Sequence, residues 1–270
     1  MKDVTRISLE GRVALITGAR QGLGKIFAEA LAQAGAQVIL MARNVPALQA
    51  TAAEIHEKTG AVCYYHPIDV RDEQSVMRAA QYVRDTTGRL DILFNNAALG
   101  RGSTHLQDLP LQEWEDILGT NLTGTFLCMK HFGRIMIEQK YGKIINMTSL
   151  AARAVFNDAC TGPYDCSKAA VGCLTRCMAG EWAKYNIRVN SISPGFFLTD
   201  INKRFLEENS GFYEKSCSGV PVGRWGDPEE IAPLALFLAS DASDYITGAD
   251  YNIDGGYTLW WFAENCEWVG

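Results

Sequence analysis

The chain has 270 residues, 47% of them hydrophobic, with a formal net charge of -6 and a pI near 5.3. That length and apolar content support one large buried core, so a single domain over residues 1–270 is expected, and the acidic balance excludes the basic stripe a nucleic-acid partner needs. The N-terminal Met1-Lys2-Asp3-Val4-Thr5-Arg6 has no apolar signal core and the longest apolar runs, such as 234–239, are too short to cross a bilayer, so a cytoplasmic protein with no membrane partner is expected.

Residues 12–17 (RVALIT) form an apolar run between glycines, the pattern of a strand buried on both faces of a parallel sheet. Gly18-Ala19-Arg20-Gln21-Gly22-Leu23-Gly24 follows, then a helical pattern over 25–35 with Ile26, Phe27, Ala30, Leu31 and Ala34 on one face. Strand, glycine turn and helix in this order suit a phosphate, because glycines let the backbone approach it and the helix's free N–H groups and positive end face it. A plain tight connection uses the same residues, and the spacing differs from G-x-G-x-x-G. Residues 37–42 (QVILMA) read as a second strand, and at its end a dinucleotide site is discriminating: acidic for a free ribose, basic for a 2′-phosphate. Arg43 stands there and Arg20 lies in the turn, so NADP(H) is expected in preference to NAD(H).

A helix over 46–58, a strand over 61–66 and a helix over 72–86 continue an alternation that argues for a doubly wound parallel sheet. Asp69, followed by Val70 at the strand's exit, either bonds an adenine amine or caps the next helix. The next strand, 91–94, ends in Asn95-Asn96-Ala97-Ala98, whose small residues leave room in a crevice. A long amphipathic helix over 111–139 carries Asn121 near its middle, and an interior Asn is either solvent-exposed or there for a reason.

Residues 142–147 (GKIINM) are a further strand delivering Thr148-Ser149, and a helix over 164–184 opens with Tyr164-Asp165-Cys166-Ser167-Lys168. Four residues apart on a helix, Tyr164 and Lys168 share a face. A neighbouring cation stabilises a phenolate, and bringing a phenol from ~10 to neutral pH takes roughly 4 kcal/mol of differential stabilisation. A surface Tyr and Lys show the same spacing, so the motifs before them decide. A sixth strand, 187–192, ends in Pro194-Gly195-Phe196-Phe197-Leu198-Thr199, and the weak pattern over 196–222 suits a substrate lid or a surface excursion. A helix over 227–238 and a strand over 249–253 close the fold. The tail 257–270, with Trp260, Trp261, Phe262 and Trp268, suits either an interface or packing on its own subunit. Eight cysteines without a C-x-x-C pair and four histidines without a cluster read as reduced thiols and no metal site.

Thr17-Gly18-x3-Gly22-x-Gly24, Asn95-Asn96-Ala97-Ala98, an Asn on the next helix, a Ser after the next strand, Tyr-x-x-x-Lys and Pro-Gly together resemble the short-chain dehydrogenase/reductase family over residues 9–257. The resemblance implies a Rossmann fold, a doubly wound sheet of seven parallel strands with helices on both faces, and a nicotinamide cofactor. It also implies a catalytic tetrad of Asn121, Ser149, Tyr164 and Lys168: Tyr164 moves the proton, Ser149 holds the substrate oxygen, Lys168 lowers the Tyr pKa and bonds the nicotinamide ribose, and Asn121 holds a relay water. Expected cofactor contacts are Gly18, Arg20, Gly22, Leu23, Gly24, Arg43, Asp69, Val70, Asn95, Ala97, Tyr164, Lys168, Pro194, Gly195 and Thr199.

Two departures stand out: the family's Asn-Asn-Ala-Gly ends here in Ala98, and the Ser-to-Tyr separation is about two residues longer than in many members, which places extra loop within 153–161. Substrate contacts are expected from 98–105, 149–160 and 196–218. The stretches 128–137, Tyr141-Gly142-Lys143-Ile144-Ile145-Asn146 and Asp254-Gly255-Gly256-Tyr257-Thr258-Leu259 look most similar to sugar, polyol and sugar-acid members, of the gluconate 5-dehydrogenase-like kind. A 3-oxoacyl-thioester (acyl carrier protein) reductase and a non-catalytic NADP-binding regulator are the alternatives. The family implies a homotetramer or dimer built on the two long helices.

Overall fold

The computed structural model describes residues 7–100, 104–155, 161–209 and 211–259. Seven strands form one sheet: β1 (Val13–Thr17), β2 (Gln37–Ala42), β3 (Cys63–Pro67), β4 (Ile92–Asn95), β5 (Gly142–Met147), β6 (Ile187–Pro194) and β7 (Asp250–Ile253). Their order is β3-β2-β1-β4-β5-β6-β7, and every pair is parallel. Because all strands run one way, their carboxyl ends share one edge, and the order reverses between β1 and β4, where ligands of such sheets bind.

Helices α1 (Gly22–Gln33), α2 (Val45–Thr59) and α9 (Ala232–Ala239) cover one face, while α3 (Glu73–Thr87), α5 (Gly124–Gln139) and α6 (Gly162–Trp182) cover the other. The strand pleat explains how one apolar run serves both. Ala14 and Ile16 of β1 pack with Phe27, Leu31 and Leu48, whereas Val13 and Leu15 pack with Val76, Met129 and Phe132. At the reversal point Phe27 of α1 stacks on Phe94 of β4, ring centroids 4.9 Å apart, which fixes the start of α1 over the sheet edge. Burying a side chain of this size contributes roughly 1.5–3 kcal/mol.

Chain punctuation follows local chemistry. Asn44 and Asp72 cap α2 and α3 by accepting from Ala47 and Gln74 backbone amides, and Gly60 and Gly88 end them at φ 71° and 66°. The expected helix over 111–139 is continuous, but α4 (Leu111–Leu118) passes through a π-helical turn, Gly119–Thr123, before α5. The segment after β6 is structured rather than open, with α7 (Asp200–Glu208) and α8 (Phe212–Cys217) lying over the strand ends. Among the described residues no helix is long and apolar enough to cross a membrane, and no three metal-ligating side chains cluster. The tail beyond Leu259, and the inserted loop from 156 to 160, lie outside the described residues.

Candidate active site

A cavity of about 940 Å³ runs along the carboxyl edge of the sheet. The glycine turn after β1 forms one wall. Methyl groups would not fit there: a Cβ on Gly18 would lie 2.9 Å from Asn96 Nδ2 and the Ala97 Cα, and one on Gly24 would lie 2.5 Å from Asn96 Nδ2 and 2.6 Å from the Gly18 carbonyl oxygen. Gly22 has open space around it but a φ of +58°, which disfavours any side chain. Gln21 begins α1 without a side-chain cap and the first turn carries no acid, so its amide donors and positive end are left for an anion. These features fit the pyrophosphate of a dinucleotide.

Asn96 ties this turn to β4. Its Nδ2 donates to the carbonyls of Thr17 (3.0 Å) and Gly18 (3.3 Å), while Thr17 Oγ1 accepts from the backbone amides of Asn96 and Ala97. Asn95 does not line the cavity: its side chain turns inward and donates to Asn146 Oδ1 at 2.8 Å. Sequence reading singled out the first Asn of the pair, and nothing local to the motif shows which of the two faces the turn.

After β1 and β2, Arg20 and Arg43 line the cavity, both exposed, and among the described residues neither makes an ion pair. No carboxylate stands at the end of β2, where Asn44 is occupied as the cap of α2. Asp69 also lines the cavity but does not cap α3, a role that Asp72 takes. Arg71 grips Asp69 through Nε (3.2 Å) and an Nη (3.0 Å), and this contact, only partly opposed by burial, holds the Asp69 carboxyl below its usual range.

At the other end Ser149, Tyr164 and Lys168 line the same cavity with Pro194, Gly195 and Thr199. Ser149 leaves β5 in an extended conformation and its Oγ accepts from the Ala151 amide at 3.2 Å. Gly162 and Pro163 start α6, which brings Tyr164 and Lys168 to the edge on one face. Lys168 is buried, donates from Nζ to the Met147 carbonyl at 2.8 Å, and lies 5.6 Å from the centroid of the Tyr164 ring. Burial alone pulls its pKa down to about 8.

Asn121 sits on the π-helical turn, buried and outside the cavity lining. Its Oδ1 accepts from the Leu99 amide (2.8 Å) and its Nδ2 donates to the Leu99 carbonyl (3.2 Å) and to Ser167 Oγ (3.0 Å). These bonds make the side chain a clamp joining the loop after β4 to the helix that carries Tyr164. Phe205 and Phe212 line the cavity from within the expected stretch 196–218, whereas sequence reading missed Asn96, Arg71 and Trp225 as cavity residues. Spacing alone does not reveal Trp225, since the segment around it reaches the edge only by tertiary packing.

A family model described as enoyl-(acyl carrier protein) reductase matches residues 18–258. The chain belongs to the short-chain dehydrogenase/reductase family. It is therefore an oxidoreductase of alcohol and carbonyl groups that uses a nicotinamide cofactor. This dehydrogenase/reductase is 36% identical over 249 residues to the 5-keto-D-gluconate 5-reductase of Escherichia coli (strain K12), covering 92% of this chain and 96% of the reductase. It is also 36% identical over 250 residues to the 3-oxoacyl-[acyl-carrier-protein] reductase FabG of Aquifex aeolicus (strain VF5), covering 93% and 98%. The solved gluconate 5-dehydrogenase of Burkholderia cenocepacia J2315, in complex with NADP and tartrate, superposes with a TM-score of 0.89 at 34% identity, covering 94% of this chain and 98% of that one.

Proposed function

We propose that this short-chain dehydrogenase/reductase interconverts a carbonyl and a secondary alcohol with NADP(H), in preference to NAD(H), with Tyr164 as general acid and base. The observation that carries the reading is that Ser149, Tyr164 and Lys168 line the same cavity as the Gly18–Gly24 turn, so a dinucleotide held by the turn reaches the Tyr–Lys pair. Bound NADPH supplies the hydride that the carbonyl carbon takes up. As charge grows on the substrate oxygen, the Ser149 hydroxyl donates to it and Tyr164 gives it a proton. Lys168 stabilises the resulting phenolate and holds the nicotinamide ribose. Asn121 fixes the relative position of the Leu99 loop and α6.

Gly18, Leu23 and Gly24 hold the pyrophosphate, Arg20 and Arg43 the 2′-phosphate, Asp69 and Val70 the adenine, and Ala97, Pro194, Gly195 and Thr199 the nicotinamide side. The substrate is a sugar, polyol or keto sugar acid, a reading supported by the named gluconate relatives. The acyl carrier protein reductase among the relatives supports the alternative of an oxoacyl thioester. The protein acts as one domain, with 196–222 as a lid, in the cytoplasm, as a homotetramer or dimer. A screen of ketoses, keto acids, acyl thioesters and steroid ketones by NADPH absorbance, run with both cofactors, tests the reading. Turnover with NADPH on one class supports it, and cofactor binding without consumption on any class would make the chain a sensor instead.

A further inference from the structure

Beyond the exit of β3, Asp69, Val70 and Arg71 line the cavity. Most of the hydrogen-bonding capacity of Asp69 is already taken up there. Its backbone amide donates to Ser75 Oγ at 3.0 Å and its carbonyl accepts from the Asp72 amide at 3.2 Å. Its Oδ1 accepts from both the Arg71 amide (3.0 Å) and Arg71 Nε (3.2 Å), and its Oδ2 accepts from an Arg71 Nη at 3.0 Å. A carboxylate offers about four lone-pair sites. A site on Oδ2 is thus left with no donor among the described residues, on a side chain that lines the cavity.

Arg71 is itself held. Its other Nη donates to Asp116 Oδ1 of α4 at 3.3 Å, and its Cδ lies beside Gly119, 4.0 Å from where a Cβ on that residue would stand. The guanidinium therefore spans from the end of β3 to α4, and Asp69 cannot turn without breaking its fork of two bonds. The side chains of Arg71, Asp69 and Asp116 keep 38%, 33% and 44% of their surface exposed. Ion pairs this open add little to stability, so the consequence of the clamp lies in what the cavity binds. The same contact favours the ionised form of Asp69, and an ionised carboxylate accepts but cannot donate. Adenine presents an exocyclic amine as donor, whereas hypoxanthine carries an acceptor oxygen in its place.

We propose that Arg71 is a positioning residue for the cofactor's base: it clamps Asp69 with an Oδ2 lone pair open to the adenine amine, and so makes the site select adenine over hypoxanthine. This rests on the reading that the cavity holds NADP(H) with its adenine at Asp69 and Val70. The test uses the intact protein and two probes, NADPH and its hypoxanthine analogue, deamino-NADPH. Their phosphates are identical, so the ratio of their dissociation constants isolates the edge of the base from any general attraction of Arg71 for anions. Both constants are read by fluorescence titration of the reduced nicotinamide, with no substrate needed.

The parent should bind NADPH about tenfold more tightly than deamino-NADPH, as one charge-assisted contact allows. Arg71→Ala should bring the two within about threefold, with a melting temperature within about two degrees of the parent. Arg71→Lys keeps the charge but loses the fork, and should stay near the Ala ratio. Asp69→Asn should also collapse the ratio, and adding Arg71→Ala to it should change the ratio no further. Equal binding of the two probes by the parent, or a parent-like ratio in Arg71→Ala or Arg71→Lys, would overturn the proposal and leave the cofactor reading intact. If neither dinucleotide binds the parent, the cofactor reading fails and the proposal with it.

Discussion

The Lys168 Nζ atom lies 5.6 Å from the Tyr164 ring centroid while donating at 2.8 Å to the carbonyl that ends β5. The ammonium is thus held at a fixed place beside the phenol, in surroundings dry enough to bring its own pKa from 10.5 to about 8. Since the folded pKa lies below the unfolded one, the folded protein binds fewer protons between those values, and stability rises with pH across that window. Below pH ~8 both states are protonated and the burial cost is constant, on the order of 3 kcal/mol. Lys168→Met should therefore raise the melting temperature at pH 7 by a few degrees, after the lost hydrogen bond is subtracted, with the gain shrinking as pH rises from 8 towards 10.5. Calorimetry across that range checks it. Activity should be lost at every pH.

Asn121 makes three hydrogen bonds from a buried site, to Leu99 twice and to Ser167 once. Asn121→Ala strands those partners in a buried site, for a cost of roughly 2–4 kcal/mol. Urea unfolding should show the loss, and kcat should fall even where the variant is folded. Asn121→Asp keeps the acceptor for the Leu99 amide but not the two donors, so it should recover part of the stability at most.

Two glycines in the turn should respond differently. Gly24→Ala forces a methyl to 2.5 Å from Asn96 Nδ2 and 2.6 Å from the Gly18 oxygen, so the β1 and β4 ends must part. Gly22→Ala meets nothing within 4 Å and costs only the backbone strain of its positive φ, about 1–2 kcal/mol. Thermal melts should rank Gly24→Ala as the more destabilised, and fluorescence titration should show NADPH binding abolished in it and weakened in Gly22→Ala.

Arg20 and Arg43 line the cavity, and the proposed reading gives them the 2′-phosphate. Arg43→Ala should weaken NADPH binding by about tenfold, as loss of one charge-assisted contact does, and leave NADH nearly unaffected. Equal losses for both cofactors would mean that Arg43 acts on the fold and not on the phosphate.

The first two strands were readable because each is a nearly continuous apolar run, residues 12–17 and 37–42. Tyr164 and Lys168 were readable because a helix converts a spacing of four into proximity. The π-helical turn was not, and the bond that its Asn121 accepts comes from Leu99, 22 positions away. Nor was the inward turn of Asn95, which depends on Asn146 across the strand pair. The stretch 196–218 was readable as a cavity segment, but the meeting of Phe196, Phe205 and Phe212 with Trp225 was not, since these rings are joined only by packing.

The most direct test is Tyr164→Phe, which removes one oxygen and keeps the ring beside Lys168. With a substrate in hand, kcat/KM should fall by about a thousandfold or more, while the NADPH dissociation constant, by fluorescence titration, stays within a few-fold of the parent. A Phe variant that keeps substantial turnover would contradict the assignment of Tyr164 as the proton donor.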